Sequence, residues 1–174
     1  MNFLEQSSQN QRFFIFRHGE TNHTKKHIPY GDQIFSADIL PEGIPVIKKL
    51  AEHVSKIPID AAYSSPFKRT RQTVDIVAPI TGFEFAYDER IGDYLDEEPM
   101  DKFNARIKSF IDEIRKTGAR NALICTHGYP IAAMIQYITK GKIELDEMKN
   151  YPVPGVLVEI KGGKVNYRDF NSII

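Results

Sequence analysis

Short apolar runs alternate with helix-spaced segments along this chain, and that alternation leaves few folds open. The runs are Arg12-Phe13-Phe14-Ile15-Phe16, Ile59 to Tyr63, Phe83 to Tyr87 and Ala122-Leu123-Ile124-Cys125. Each is too short for a helix, mostly apolar and bounded by turn or polar residues, the pattern of a buried strand. Between them the spacing changes. After Pro41-Glu42-Gly43, the residues Ile44, Ile47, Leu50, Ala51 and Val54 recur at helical intervals, with Pro58 just beyond. Pro66 opens a second helical segment carrying Phe67, Thr70, Val74 and Val77, which Pro79 is expected to end. A third, from Pro99 to Lys116, places Phe103, Ile107, Phe110, Ile111 and Ile114 on one face and stops at Gly118. A fourth covers Ile131 to Thr139, with Pro130 in its first turn. Val156 to Ile160, Gly162-Gly163 and Val165 to Phe170 read as a hairpin. The expectation is an α/β fold: one domain over residues 1–174 with a mainly parallel sheet flanked by helices and an antiparallel C-terminal hairpin.

Charge narrows the function. Lys+Arg and Asp+Glu stand at 23 each, so the formal net charge is zero. A broad nucleic-acid footprint or an anionic membrane surface finds no bulk counter-charge here, and neither partner is expected. Any anion must be held by local placement of cations. No apolar run approaches a membrane span. The opening MNFLEQSSQNQ carries no leader-like apolar core, and Cys125 is the one cysteine, which suits a reducing compartment. A cytoplasmic location is the expectation. The oligomeric state is not legible.

In an open α/β sheet, ligands bind beyond the carboxyl ends of the strands. That rule selects Arg17-His18-Gly19-Glu20-Thr21, then Ser64-Ser65-Pro66 leading into Lys68-Arg69-Thr70-Arg71, then Thr126-His127-Gly128. Two His-Gly pairs and an arginine cluster converge on one edge. A guanidinium offers a rigid fork that matches two phosphate oxygens. A glycine after each histidine lets backbone N–H groups approach an anion, and the helix near Pro130 would point its positive end there. A neutral imidazole is a competent nucleophile, and nearby arginines favour the neutral form.

The run Phe14 to Thr21, with Arg17-His18-Gly19-Glu20-Thr21 at its end, resembles the signature of the histidine phosphatase superfamily, which includes the phosphoglycerate mutases. Tyr63 to Thr73 resembles that family's second arginine motif, and Thr126-His127-Gly128 its second-histidine motif. The resemblance implies a phosphoric monoester hydrolase. His18 would become phosphohistidine. Arg17, Arg69 and His127 would hold the phosphoryl oxygens, supported by Thr21 and the Gly19 and Gly128 backbones. Arg90-Ile91-Gly92-Asp93 is similar to the segment that carries the family's acid, which makes Asp93 the preferred acid and Glu89 the alternative.

Two departures qualify that picture. Thr24 stands where relatives often carry an asparagine, so one phosphate contact would pass to a hydroxyl. The interval from Asp93 to His127 holds little beyond one helix, so the capping segment of larger relatives has no room. An open site disfavours a mutase, which must keep its phospho-intermediate from water, and suits a phosphatase acting on a phosphorylated small molecule or a phosphoprotein. A non-catalytic phospholigand-binding module is the alternative from another class. His23 and His27 lack a third ligand in metal spacing, and no nucleotide-binding glycine loop occurs, so neither metal nor cofactor is expected. Lys68 and Arg71 read as a solvated helix face, and Cys125 as packing.

Overall fold

The computed structural model describes residues 10–172; most of the polar opening read for a leader therefore lies outside the described residues. Six strands form one sheet: β1 (Arg12–Arg17), β2 (Ala61–Ser64), β3 (Phe85–Tyr87), β4 (Asn121–Thr126), β5 (Val156–Lys161) and β6 (Lys164–Asp169). Among the described residues, five α-helices accompany them: α1 (Asn22–Lys26), α2 (Ile44–Val54), α3 (Lys68–Thr81), α4 (Met100–Thr117) and α5 (Gly128–Lys140). The sheet order is β3-β2-β4-β1-β5-β6. β1, β2, β3 and β4 run parallel, whereas β5 lies antiparallel to β1 and pairs with β6 as the expected hairpin.

The consecutive apolar residues of β1 follow from its central place, because a strand covered on both faces has no side to give to solvent. Phe13 and Ile15 pack with Phe103, Ile107, Phe110 and Ile111 of α4 and with Ile131 of α5. Phe14 and Phe16 face the opposite way, against Ile47, Leu50 and Val54 of α2 and Val74 and Val77 of α3. Two apolar layers thus clamp the sheet and hold its strand ends in fixed register.

Several boundaries differ from the sequence reading: β3 starts at Phe85 rather than Phe83, and α5 at Gly128 rather than Ile131. The second strand starts at Ala61 because the N–H of Ile59 turns back to the carbonyl of Ile57 at 2.8 Å. α3 begins at Lys68 and continues through Pro79 to Thr81. One proline near the end of a helix costs a single bond, and the real stop is Gly82 at φ 74°, whose N–H reaches the carbonyl of Ala78 at 2.8 Å. α1 lies in a stretch that showed no periodicity. Its determinant is local: Thr21 accepts from the N–H of Thr24, and the Thr24 hydroxyl accepts from the N–H of Thr21, a reciprocal cap. Among the described residues, no helix is long and apolar enough to cross a membrane.

Candidate active site

β2, β4 and β1 are neighbours, so the residues that leave their carboxyl ends must meet. Arg17 lies opposite Thr126, and Ser64 opposite Cys125. One residue further on, the N–H of His18 bonds the carbonyl of Thr126 at 3.0 Å, and the N–H of Ser65 bonds that of Cys125 at 3.0 Å. The sheet register therefore carries His18, Ser65 and His127 to one place, and the two imidazole centroids stand 5.3 Å apart.

His18 is fully buried, and its tautomer is dictated by its partner. Nδ1 lies 2.8 Å from the carbonyl oxygen of Gly19, which can only accept, so Nδ1 carries the proton. Nε2 is left with a lone pair and no hydrogen-bond partner. Burial, then the charges of Arg17 and Arg69, hold the imidazole well below its usual pKa, so the ring stays neutral.

Arg69, from the first turn of α3, is the largest fully buried side chain. It gives one Nη2 proton to Asp93 Oδ2 at 2.7 Å and bonds through Nη1 to the carbonyl of Ile34, while its Nε is buried without a partner. The Tyr30 ring covers its guanidinium at 4.0 Å. Arg17 has its Nε equally unpartnered, and its guanidinium rests 5.0 Å from the Tyr151 ring. Two cations with unused donors therefore act on the imidazole whose Nε2 is free.

His127 approaches from the other side. Its Nε2 lies 2.7 Å from the Ser65 hydroxyl, which already accepts from the N–H of Phe67. With the serine as donor to Nε2, the neutral ring carries its proton on Nδ1, which has no hydrogen-bond partner. Burial, with Arg69 next, depresses this pKa also. His127 caps α5, whose first N–H groups, on Gly128 and Tyr129, find no partner within the helix.

Both candidate acids can now be placed. Asp93 is buried, with Oδ2 2.7 Å from Arg69 and 3.7 Å from Nδ1 of His127. Burial pushes its pKa up against the opposing pull of Arg69 and Arg17, which favours a carboxyl that can hold a proton. Glu89 is exposed and lines a neighbouring cavity with Phe35, Phe67 and Leu95. Of the two, only Asp93 touches the histidine–arginine cluster.

Some expected contacts are already taken. The N–H of Gly19 bonds Thr73 Oγ1 at 2.9 Å, so it is not free for an anion. A Cβ at residue 19 would sit 2.5 Å from Ile47 Cδ1, and one at residue 128 would sit 2.7 Å from the Tyr151 ring. The glycines are thus required by packing, not only by ligand approach. The hydroxyls of Thr21 and Thr24 are engaged in the α1 cap, with Thr21 also 2.8 Å from the Tyr30 hydroxyl. Thr24 borders the open cleft; buried Thr21 does not. Lys68 pairs with Asp38 and Arg71 with the carbonyl of Pro66, both on the exposed face of α3. Burial pushes the Cys125 thiol up, consistent with packing. His23 stacks on Tyr30 at 4.6 Å, and among the described residues no three-membered ligand group for a metal occurs.

The sequence places Tyr30 in a loop expected to shape the mouth of the site, but gives Ser65, Thr73 and Tyr151 no individual role. Ser65 and Thr73 lie inside the second arginine motif, and the position of Ser65 one residue past β2 is a readable signal. Tyr30 and Tyr151 act through tertiary contacts that no spacing announces. Tyr30 and Tyr151 line a cleft of about 900 Å³ that runs past Arg17 and Asp93 to solvent.

Known proteins share the family pattern and the fold of this chain. The model of the histidine phosphatase superfamily (branch 1) matches residues 13–94 and 86–172. A broad-specificity phosphatase of Saccharomyces cerevisiae is 26% identical over 162 residues, covering 73% of this chain and 70% of its own. The alpha-ribazole phosphatase of Shigella flexneri superposes with a TM-score of 0.72 at 17% identity, over 93% of this chain and 96% of that one. The protein histidine phosphatase SixA gives a TM-score of 0.63 at 14% identity, over 91% and 94%.

Proposed function

This chain belongs to the histidine phosphatase superfamily, and we propose that it hydrolyses a phosphomonoester through a phosphohistidine on His18. The observation that carries the reading is the buried, unpartnered Nε2 of a neutral His18 that feels the charges of two arginines, each with a buried donor to spare. Nε2 attacks phosphorus, the bond from phosphorus to the substrate oxygen breaks, and protonated Asp93 gives its proton to that oxygen. Arg17, Arg69, the Nδ1–H of His127 and the N–H of Gly128 hold the non-bridging oxygens. Asp93, now a carboxylate, takes a proton from water as that water attacks phosphorus. The phosphorus–nitrogen bond breaks, inorganic phosphate leaves, and Nε2 regains its lone pair. Positioning and charge supply most of the rate, so neither metal nor cofactor has a part in this scheme.

The open cleft supports a phosphorylated metabolite or a phosphoprotein side chain reaching in from solvent. A screen of phosphorylated metabolites and phosphopeptides with wild type and His18→Ala tests the reading. Phosphate release by wild type alone is expected. Equal release by both proteins would remove His18 from the chemistry.

The binding-module alternative draws on one observation, the engagement of Asp93 by Arg69. It expects phosphate binding without turnover of any phosphomonoester.

A further inference from the structure

Asp93 has no regular secondary structure of its own to hold it. It follows the single turn Glu89–Ile91 and Gly92, in a connection between β3 and α4. Its direction therefore depends on what ties that connection down. The carbonyls of residues 90 to 93 are all bound. Thr126, at the end of β4, donates its hydroxyl proton to the carbonyl of Ile91 at 2.6 Å. The other three go to one side chain.

Arg106, on α4, donates through Nη1 to the carbonyls of Arg90 at 2.7 Å and Gly92 at 2.9 Å, and through Nη2 to that of Asp93 at 2.9 Å. Its remaining N–H groups go to Glu98, Nε to Oε1 at 2.6 Å and Nη2 to Oε2 at 2.8 Å. All five donors of the guanidinium are spent. The Phe103 ring lies 4.7 Å from its centre. On the other side of the connection, Gly92 fits against the Phe67 ring so closely that a Cβ would lie 2.9 Å from it. Arg106 also borders the cavity that holds Glu89, Phe35 and Leu95, yet it has no N–H left for a ligand there.

We propose that Arg106 is a positioning residue, its guanidinium fixing the backbone of residues 90–93 so that the Asp93 carboxyl faces Arg69 and His127. This rests on the reading of Asp93 as the acid. The fork matters because a point charge cannot hold three carbonyls and a carboxylate at set angles. Around the carboxyl stand Arg69 from α3, Arg17 from β1, His127 before α5 and Tyr30 from the loop beyond α1. None of them hydrogen-bonds Arg106, whose charge reaches His127 only as a minor influence, so altering Arg106 leaves the contacts of the phosphate cage in place and moves the acid within it.

The test compares wild type, Arg106→Gln, Arg106→Lys and Glu98→Gln on two phosphomonoesters, one with a 4-nitrophenol leaving group and one with an aliphatic alcohol. An acid is needed for the alcohol and hardly for the nitrophenolate. Arg106→Gln is expected to lower kcat/KM, which reports the steps up to leaving-group departure, on the order of a hundredfold with the aliphatic ester and by about threefold or less with the nitrophenyl ester. Arg106→Lys should recover part of that loss, and Glu98→Gln should show the same selectivity more weakly. With Asp93 less enclosed, the alkaline limb of kcat/KM for the aliphatic ester should move to lower pH. Should Arg106→Gln fail to fold, Arg106→Lys and Glu98→Gln still carry the comparison. Equal losses on both esters with an unmoved alkaline limb, or no loss, overturn the positioning role while leaving the phosphatase reading intact. A wild-type protein inert on both esters overturns both.

Discussion

Arg69 holds Asp93 by a 2.7 Å ion pair in which the arginine side chain is 0% exposed and the aspartate 11%. Burial shifts both partners towards their neutral forms, lowering Arg69 and raising Asp93. The pair is therefore poised rather than saturated. An incoming phosphoryl group can take up the Arg69 donors while Asp93 keeps a proton for the leaving oxygen.

The choice between acids follows directly. Asp93→Asn is expected to cost on the order of a hundredfold in kcat/KM with an alkyl phosphomonoester, and much less with a nitrophenyl one. Glu89→Gln, at an exposed carboxylate, should stay within about twofold on both. Steady-state kinetics with the two esters checks this, and the reverse ranking would make Glu89 the acid.

Arg17→Lys should be nearly as damaging, although the charge is kept. A lysine lacks the fork that grips two oxygens. The expected loss is about 3 kcal/mol of transition-state stabilisation, on the order of a hundredfold in kcat/KM. Unchanged kinetics would remove Arg17 from the site.

Acid should destabilise the fold through the two buried imidazoles. Both histidines have folded-state pKa values depressed below 6.5, so the unfolded chain binds protons first as pH falls. Their contribution is intact above about pH 6.5 and is lost as pH drops towards the folded values, at about 1.4 kcal/mol per pH unit for each. Urea unfolding at pH 7.5 and 5.5 measures it. His18→Gln should lose less stability between the two than wild type does; an equal loss contradicts the assignment.

Gly19→Ala tests the packing reading. The new methyl would meet Ile47 Cδ1 at 2.5 Å, so a destabilisation of about 1–3 kcal/mol is expected. Ile47→Ala in the same chain should restore part of it, a coupling that a double-mutant cycle resolves. Strict additivity would mean that the two residues do not compete for that space.

Much of this architecture was legible because it is written in local pattern. Phe13 to Phe16 announce a strand covered on both faces, Phe103 to Ile114 a one-faced helix, and Gly162-Gly163 a hairpin. The same pattern places His18, Arg69 and His127 at strand ends, and strand order then joins them. What escaped depends on contacts between distant segments. Pro79 reads as a stop, yet tertiary packing of Val74 and Val77 carries α3 beyond it. Gly19 reads as an anion contact, but its N–H is claimed by Thr73, 54 residues away. Arg106 looks like one charged residue among many on α4, because nothing in its neighbours announces three carbonyls waiting on another loop.

The covalent intermediate is the most direct measurement. Protein mixed with a labelled phosphodonor, quenched in base and digested, should yield one phosphopeptide whose label is stable to alkali, lost in acid, and mapped to His18. The same experiment with His18→Ala should yield none. Turnover without such a species, or a label carried on another residue, would contradict nucleophilic catalysis by that imidazole.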